Sequence, residues 1–312
     1  MPSLSVVVPV FNEAESIPEL FRELQLVLAP YSDYEIVFVD DGSWDGSGEI
    51  CLELAQQNPS VKLIQFYRNY GKAAALSEGF KYAHGEVIIT MDADLQDDPH
   101  EIPNLLAKLE EGFDLVSGWK KKRLDPINKR WPSKLFNFVV RTMTGVHIHD
   151  FNCGLKAYRQ SVVRSIELYG GRHRYIPALA GDKRFRITEI IVNHRPRKYG
   201  RTKYGGSRLF HGFFDLLTIM FLNRYTQSPL HLFGLLGLFS FFLGVLVEGY
   251  VVVLKYGYGE PFQKHFAMLL FGALVIILGM WSFSLGLIAE MIARIQQDQE
   301  RRVKRIIPEK VV

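Results

Sequence analysis

Apolar and polar positions follow two regimes along this chain. Up to about residue 208, short apolar runs are separated by stretches of helical periodicity; from about residue 230, apolar residues continue almost unbroken. In the first regime Leu4 to Val8, Tyr34 to Val39, Lys62 to Phe66, Glu86 to Met91 and Asp114 to Gly118 predict strands. Between the first two, Ile17, Leu20, Phe21, Leu24, Val27 and Leu28 fall on one face of a helix begun by Ser16. Further helices are expected from about Asp45 to Gln57, from Lys72 to Ala83, from Pro99, and from Ser133 to Thr144, and Asp150 to Tyr158 returns toward a strand. Strands alternating with helices at this spacing imply an α/β fold: a mostly parallel, Rossmann-like sheet with helices on both faces.

In such sheets ligands bind outside the carboxyl ends of the strands. The polar loops there carry Glu13, Asp41, and Asp92 with Asp94, so these acids converge on one crevice. The densest stretch is Asp92-Ala-Asp-Leu-Gln-Asp-Asp-Pro99. Asp94 and Gln96, alternating with Leu95, aim two oxygen-bearing side chains to one side of an extended segment. That suits a hard divalent ion such as Mg²⁺ or Mn²⁺. The same stretch also fits a solvated acidic cap on the helix beginning near Pro99, with Asp97 and Asp98 serving its positive end. No glycine-rich phosphate loop of Walker or dinucleotide type occurs, so metal and basic side chains must hold any phosphate. Trp119-Lys-Lys-Lys-Arg123 leaves a strand end, which keeps a phosphate contact for Lys120 open beside the plainer reading of a solvated face.

The second regime changes the picture from a soluble domain to a membrane protein. Residues 230–254 and 266–289 are each long enough to cross the hydrocarbon core as a helix. Leu4 to Val8 is too short for a signal peptide. Basic residues crowd 193–208 and the tail after 290, while the loop 256–265 offers only Lys264 and a histidine. The positive-inside rule then expects both termini in the cytoplasm. Residues 209–222 mix Phe210, Phe213, Phe214 and Leu217 with His211 and Asp215, which fits an amphipathic interfacial helix or a helix packed on the globular part. The net charge of +4 is modest and its basic residues cluster beside the spans, which favours lipid headgroups or phosphates over nucleic acid. Two cysteines, Cys51 and Cys153, make no disulfide framework or metal spacing. The expected organisation is a cytoplasmic domain over 1–208, an amphipathic helix over 209–228, a two-helix hairpin over 229–290 and a basic tail over 291–312. Paired spans make a homo-oligomer an expectation as well.

Taken in order, VVVPVFNE (Val6 to Glu13), VDDGS (Val39 to Ser43), MDADLQDDP (Met91 to Pro99), DFNCGLKAYR (Asp150 to Arg159) and RPRKYGRTKYG (Arg195 to Gly205) resemble the inverting glycosyltransferase family 2 with the GT-A fold. More narrowly they resemble its membrane-anchored polyprenyl-phosphate glycosyltransferases, of the GtrB and dolichyl-phosphate mannose synthase type, whose "DXD" acids stand here as Asp92 and Asp94. The resemblance implies that Pro9, Phe11, Glu13, Val39, Asp41, Asp92, Ala93 and Asp94 bind a sugar nucleotide, UDP-glucose above all. It implies Mg²⁺ or Mn²⁺ on Asp94 and Gln96, and catalytic parts for Asp94, Asp150 and Lys120. Arg130, Ser133, Arg197 and Lys203 would grip the phosphate of a polyprenyl acceptor at the inner membrane. Lys120 stands where relatives usually show Arg, and Thr202 where Ser is usual. GDP-mannose or another sugar nucleotide as donor to the same lipid, or a polysaccharide-forming enzyme, are the competing expectations, and a non-catalytic membrane scaffold a third.

Overall fold

The computed structural model describes residues 3–121, 137–138, 140–142, 144–166, 168, 172–199 and 229–299. The expected interfacial helix and the basic tail from residue 300 lie outside the described residues, as do Arg130, Ser133 and Lys203. The chain divides into two compact units, residues 1–216 and 217–312.

In the first unit the apolar runs become strands β1 (Leu4–Val10), β2 (Tyr34–Asp40), β3 (Val61–Gln65), β4 (Val87–Thr90) and β5 (Leu115–Trp119). Two more follow, β6 (Lys156–Arg159) and β7 (Ile187–Ile191). The sheet order is β3-β2-β1-β4-β6-β5-β7. β1 to β4 are parallel, as is the pair β5 and β7, while β6 runs antiparallel between β4 and β5. The expected mostly parallel sheet is therefore present, and β6 alone reverses it.

Alternation along β1 feeds two cores. Val6, Val8 and Val10 pack with helices α1 (Ile17–Leu28), α2 (Ser47–Gln57) and α4 (Ile102–Glu110). Val7, with Val37, Val39 and Ile88, packs on the opposite face with α3 (Lys72–Tyr82), α5 (Gln160–Ser165) and α6 (Ile176–Asp182). The apolar stripe expected of α1 is the buried one: Ile17, Leu20, Phe21, Leu24, Val27 and Leu28. Within the expected helix 133–144, the described residues of 137–144 are helical.

The second unit is built on α7 (Pro229–Gly257) and α8 (Phe266–Gln299). Both are long and apolar enough to cross a membrane, at about 1.5 Å of rise per residue. Glycines set their spacing. A Cβ on Gly237 would lie 2.7 Å from the Gly279 carbonyl oxygen, and one on Gly244 would lie 2.8 Å from that of Gly272. Small residues at such contacts let two backbones approach closely where no hydrophobic effect drives them together.

Candidate active site

The cleft opens along the carboxyl edge of β1, β2 and β4 and the amino end of the reversed β6, with a volume of about 410 Å³. Sheet order fixes the sequence of side chains along it: Asp41 after β2, Pro9 to Glu13 after β1, Asp92 to Asp94 after β4, then Asn152 to Lys156 leading into β6.

At the β1–β2 end the loops are pinned to each other. Asn12, at φ 52°, accepts the Trp44 N–H on Oδ1 at 3.0 Å, and its own N–H donates to Ser43 Oγ at 3.0 Å. The Glu13 N–H donates to Ser47 Oγ at 2.8 Å. Phe11 meets Trp44 edge-to-face at 5.0 Å, forming an aromatic lip. Asp41 lines the cleft while accepting the N–H groups of Tyr70 (2.7 Å) and Gly71 (2.9 Å). Burial raises its pKa in spite of those two donors.

Four acids in seven residues cannot share one environment, and the fold sorts them. Asp97 turns inward: it is 1% exposed, accepts the Asp92 N–H at 3.3 Å, and pairs with Lys120 at 2.7 Å. Asp98 caps the turn Pro99–Glu101 through the His100 N–H. The expectation that both serve the helix start holds for Asp98; Asp97 is instead a buried counter-ion. Asp92 pairs with Lys72, and although burial opposes its ionisation, the charges of Lys72 and Lys120 hold its pKa at about 2. Asp94 accepts the Gln96 N–H at 3.1 Å across Leu95, which takes a positive φ of 60°. Burial first, then the charges of Asp92 and Asp97, push its carboxyl up to about 6. Gly154 keeps this corner compact, because a Cβ there would lie 2.7 Å from both Asp92 Cγ and Asp97 Oδ2.

The segment after β7 reaches the acids through backbone pairing. Asp97 bridges His194, and the Arg195 N–H donates to the Gln96 carbonyl at 3.0 Å. Two residues on, Arg197 Nη2 donates to Glu13 Oε1 at 2.6 Å, and Nη1 lies 3.9 Å from Asp94 Oδ2. Arg197 thus spans the β1 and β4 loops at the carboxylate expected to bind metal.

Pro9, Phe11, Glu13, Asp41, Asp92, Ala93, Asp94 and Arg197 all line the cleft. Val39, Gln96, Lys120 and Asp150 do not. Val39 is fully buried in the core, because the alternation of β2 turns it onto the sheet face covered by α3. Gln96 is held by its backbone, its N–H on Asp94 and its carbonyl on Arg195, and the positive φ of Leu95 departs from the extended chain that alternation assumes. Lys120 is bound to Asp97; burial lowers its pKa, but the charges of Asp97, Cys153 and Asp92 and the hydrogen bond to Asp97 together outweigh burial and raise it. Asp150 is 2% exposed, with Oδ1 accepting the Asn152 N–H at 3.0 Å. Several lining residues escaped the sequence, among them Lys72, Lys156 and His173. Lys72 carries a usable signal, since a lysine in the first turn of a helix opposes the helix dipole and needs a nearby acid.

Asp92 and Asp94 offer oxygen donors of the kind a hard divalent ion takes, and the Asp94 carboxyl, raised first by burial and then by Asp92 and Asp97, is one that a bound cation would hold ionised. Glu23, Asp98 and His100 also bring ligand atoms together, but Arg195 already spans Glu23 (2.7 Å) and Asp98 (2.6 Å), so that group is an ion-pair cluster.

An acid-lined crevice at the carboxyl edge of a seven-stranded sheet with one reversed strand defines a transferase of the GT-A fold. The chain belongs to glycosyl transferase family 2, whose model matches residues 5–167, and a model of the GtrB C-terminal hairpin matches residues 228–295, so it is an enzyme of the polyprenyl-phosphate glycosyltransferase group. It is 38% identical over 312 residues to the undecaprenyl-phosphate 4-deoxy-4-formamido-L-arabinose transferase of Pseudomonas savastanoi pv. phaseolicola, covering 99% of this chain and 90% of the relative. The Shewanella sediminis protein of the same name is 39% identical over 302 residues, covering 96% and 89%. Among solved structures, glucosyl-3-phosphoglycerate synthase from Mycobacterium tuberculosis, in complex with Mn²⁺, UDP-glucose and phosphoglyceric acid, shares the fold at a TM-score of 0.54 and 17% identity, covering 70% of this chain and 80% of that one.

Proposed function

We propose that this enzyme transfers a sugar from a UDP-sugar to undecaprenyl phosphate at the cytoplasmic face of the inner membrane, with inversion at the anomeric carbon. The observation that carries this reading is the meeting of Glu13, Asp92, Asp94 and Arg197 in one cleft, from two loops and a distant segment. Phe11 and Trp44 form the lip on which a uracil would stack, Asp41 and Glu13 face the ribose, and Asp92 and Asp94 face the diphosphate. Asp94, with Asp92 beside it, would hold Mg²⁺ or Mn²⁺, which supplies charge neutralisation for the leaving diphosphate. The fold relative's complex with Mn²⁺ and UDP-glucose fits that choice.

The acceptor is a phosphate, largely ionised at neutral pH, so it needs positioning more than deprotonation. Arg197, once a ribose engages Glu13 and a cation engages Asp94, would have its two terminal nitrogens available for bidentate pairing with an acceptor phosphate, while Nε stays on the Tyr199 carbonyl. Arg130, Ser133 and Lys203 join it in this reading, the two spans tether the catalytic part (1–208) to the lipid, and the basic flanks support cytoplasmic termini by the positive-inside rule. Self-association of the hairpin completes the reading, tested by cross-linking in the membrane.

Glucose is the donor expected from the motifs. The names of the relatives, at 38% identity over nearly the whole chain, favour a second donor, a UDP-linked 4-deoxy-4-formamido-L-arabinose. Calorimetric titration of the purified chain with UDP and each UDP-sugar, with and without Mn²⁺, tests the site. Metal-dependent binding to wild type and not to Asp94→Asn supports it, and metal-independent binding equal in both overturns the metal assignment.

A further inference from the structure

The β6 side of the cleft contains polar atoms that the nucleotide and metal do not use. Among the described residues, Nδ1 of His173 and Oδ1 of Asn152 are shielded from solvent and have no hydrogen-bond partner. Both residues line the cleft. Buried polar atoms are ordinarily satisfied, so two orphans on the wall of one cleft call for a ligand that supplies their hydrogen bonds.

The order of elements says which part of a ligand comes there. In the proposed UDP-sugar reading the nucleoside side is the loops after β1 and β2, and the carboxylates facing the diphosphate follow β4. The next strand is β6, whose reversed direction brings its amino end, with Asn152 just before it, to the same edge. A donor laid base-first from β2 must put its sugar beyond Asp92, toward β6. His173 enters from the turn Arg172–Tyr175, close enough to feel the charges of Lys72 and Asp92.

The geometry points to Asn152 and His173 as residues that select the donor sugar, by hydrogen bonding to a neutral ring that offers both donors and acceptors, as vicinal hydroxyls or an amide substituent do. This rests on the reading of the cleft as a UDP-sugar site. Asn152 Oδ1 accepts from a hydroxyl or amide N–H. Burial first, then the charges of Lys72 and Arg174, keep the His173 imidazole well below its ordinary pKa. It is therefore neutral at pH 7, and Nδ1 takes whichever of the two roles the other ring nitrogen leaves to it. Lys156 extends the same wall: it is 3% exposed, and its ammonium donates to the Cys153 carbonyl.

The test separates sugar from nucleotide. The full-length enzyme in detergent with undecaprenyl phosphate is assayed on UDP-glucose and on the UDP-linked 4-formamido-arabinose, using whichever donor the wild type turns over, with UDP as product inhibitor. His173→Phe keeps the ring volume without the nitrogen, and Asn152→Ala removes the acceptor. Each should raise the donor KM about tenfold while the UDP inhibition constant stays within about twofold. His173→Asn, which returns a polar atom near the Nδ1 position, should recover much of the loss. UDP inhibition weakening in step with KM would mean a merely structural role and overturn the proposal, as would variants that change neither constant. A wild type that binds UDP but gains nothing from an attached sugar also overturns it. A wild type that does not bind UDP at all overturns the UDP-sugar reading itself.

Discussion

Replacing Asp94 by Asn should stabilise the metal-free enzyme while abolishing its activity. Asp94 is 16% exposed at its side chain, and its carboxyl is pushed from an ordinary 3.8 up to about 6 by burial and then by Asp92 and Asp97. At about 1.4 kcal/mol per tenfold change, holding that carboxylate ionised at pH 7 costs the fold roughly 3 kcal/mol. The sign follows from linkage. A group whose pKa is higher folded than unfolded binds its proton more tightly in the folded state, so stability falls as pH rises from about 4 through 6. Asn is always neutral, and its amide oxygen can still accept the Gln96 N–H. The gain should therefore be largest at pH 7 and about half as large at pH 5. Thermal denaturation of the detergent-solubilised chain should place the variant's transition several degrees above that of wild type without metal, at about 2–4 °C per kcal/mol. Saturating Mn²⁺ should close or reverse the gap, because a ligand that binds only the folded wild type at a hundred times its Kd adds about 2.7 kcal/mol. A variant less stable than wild type in the absence of metal, or an equal Mn²⁺ shift in both, would refute the assignment of Asp94 as the strained ligand.

Gly154→Ala puts a Cβ 2.7 Å from Asp92 Cγ and Asp97 Oδ2; kcat/KM for the sugar nucleotide should fall at least about tenfold with membrane insertion intact, read by steady-state kinetics and membrane fractionation. Arg197→Ala should raise the KM for polyprenyl phosphate more than that for the sugar nucleotide. It should also move the acid limb of the pH–rate profile upward, since the Arg197 charge lowers the Asp94 pKa and its loss raises it. Lys120→Ala strips the partner from Asp97, whose side chain is 0% exposed, and should cost about 3–5 kcal/mol in chemical denaturation; lost activity at unchanged stability would instead return Lys120 to a catalytic part.

The alternation of apolar runs carried the architecture, because strand burial and the α1 stripe are local properties of the chain. β1 and α1 emerged almost residue for residue. What failed to show was whatever depends on non-local pairing. The reversed direction of β6 is set by its antiparallel partners β4 and β5, and no periodicity reports direction. The same limit applied to the acids. Spacing alone treated Asp97 and Asp98 alike, and only Lys120, brought close by β5, draws one of them inward. Gln96 shows the cost of assuming an extended chain, since the positive φ at Leu95 breaks the alternation that would have aligned it with Asp94. Arg197 was visible as a motif residue, yet its reach to Glu13 depends on the bridge between Asp97 and His194, nearly a hundred residues apart in sequence. His173 gave no sequence signal, because an imidazole becomes notable only when its surroundings leave a nitrogen without a partner.

The most direct measurement is product identification. The purified enzyme, in vesicles containing undecaprenyl phosphate, is incubated with radiolabelled UDP-sugars and Mn²⁺, and the organic-phase product is analysed by mass spectrometry. The expected product is a single sugar joined to the lipid through one phosphate, with UDP released in equal amount and no product from Asp94→Asn. A polymer, a lipid-linked sugar diphosphate, or full yield from Asp94→Asn would contradict it.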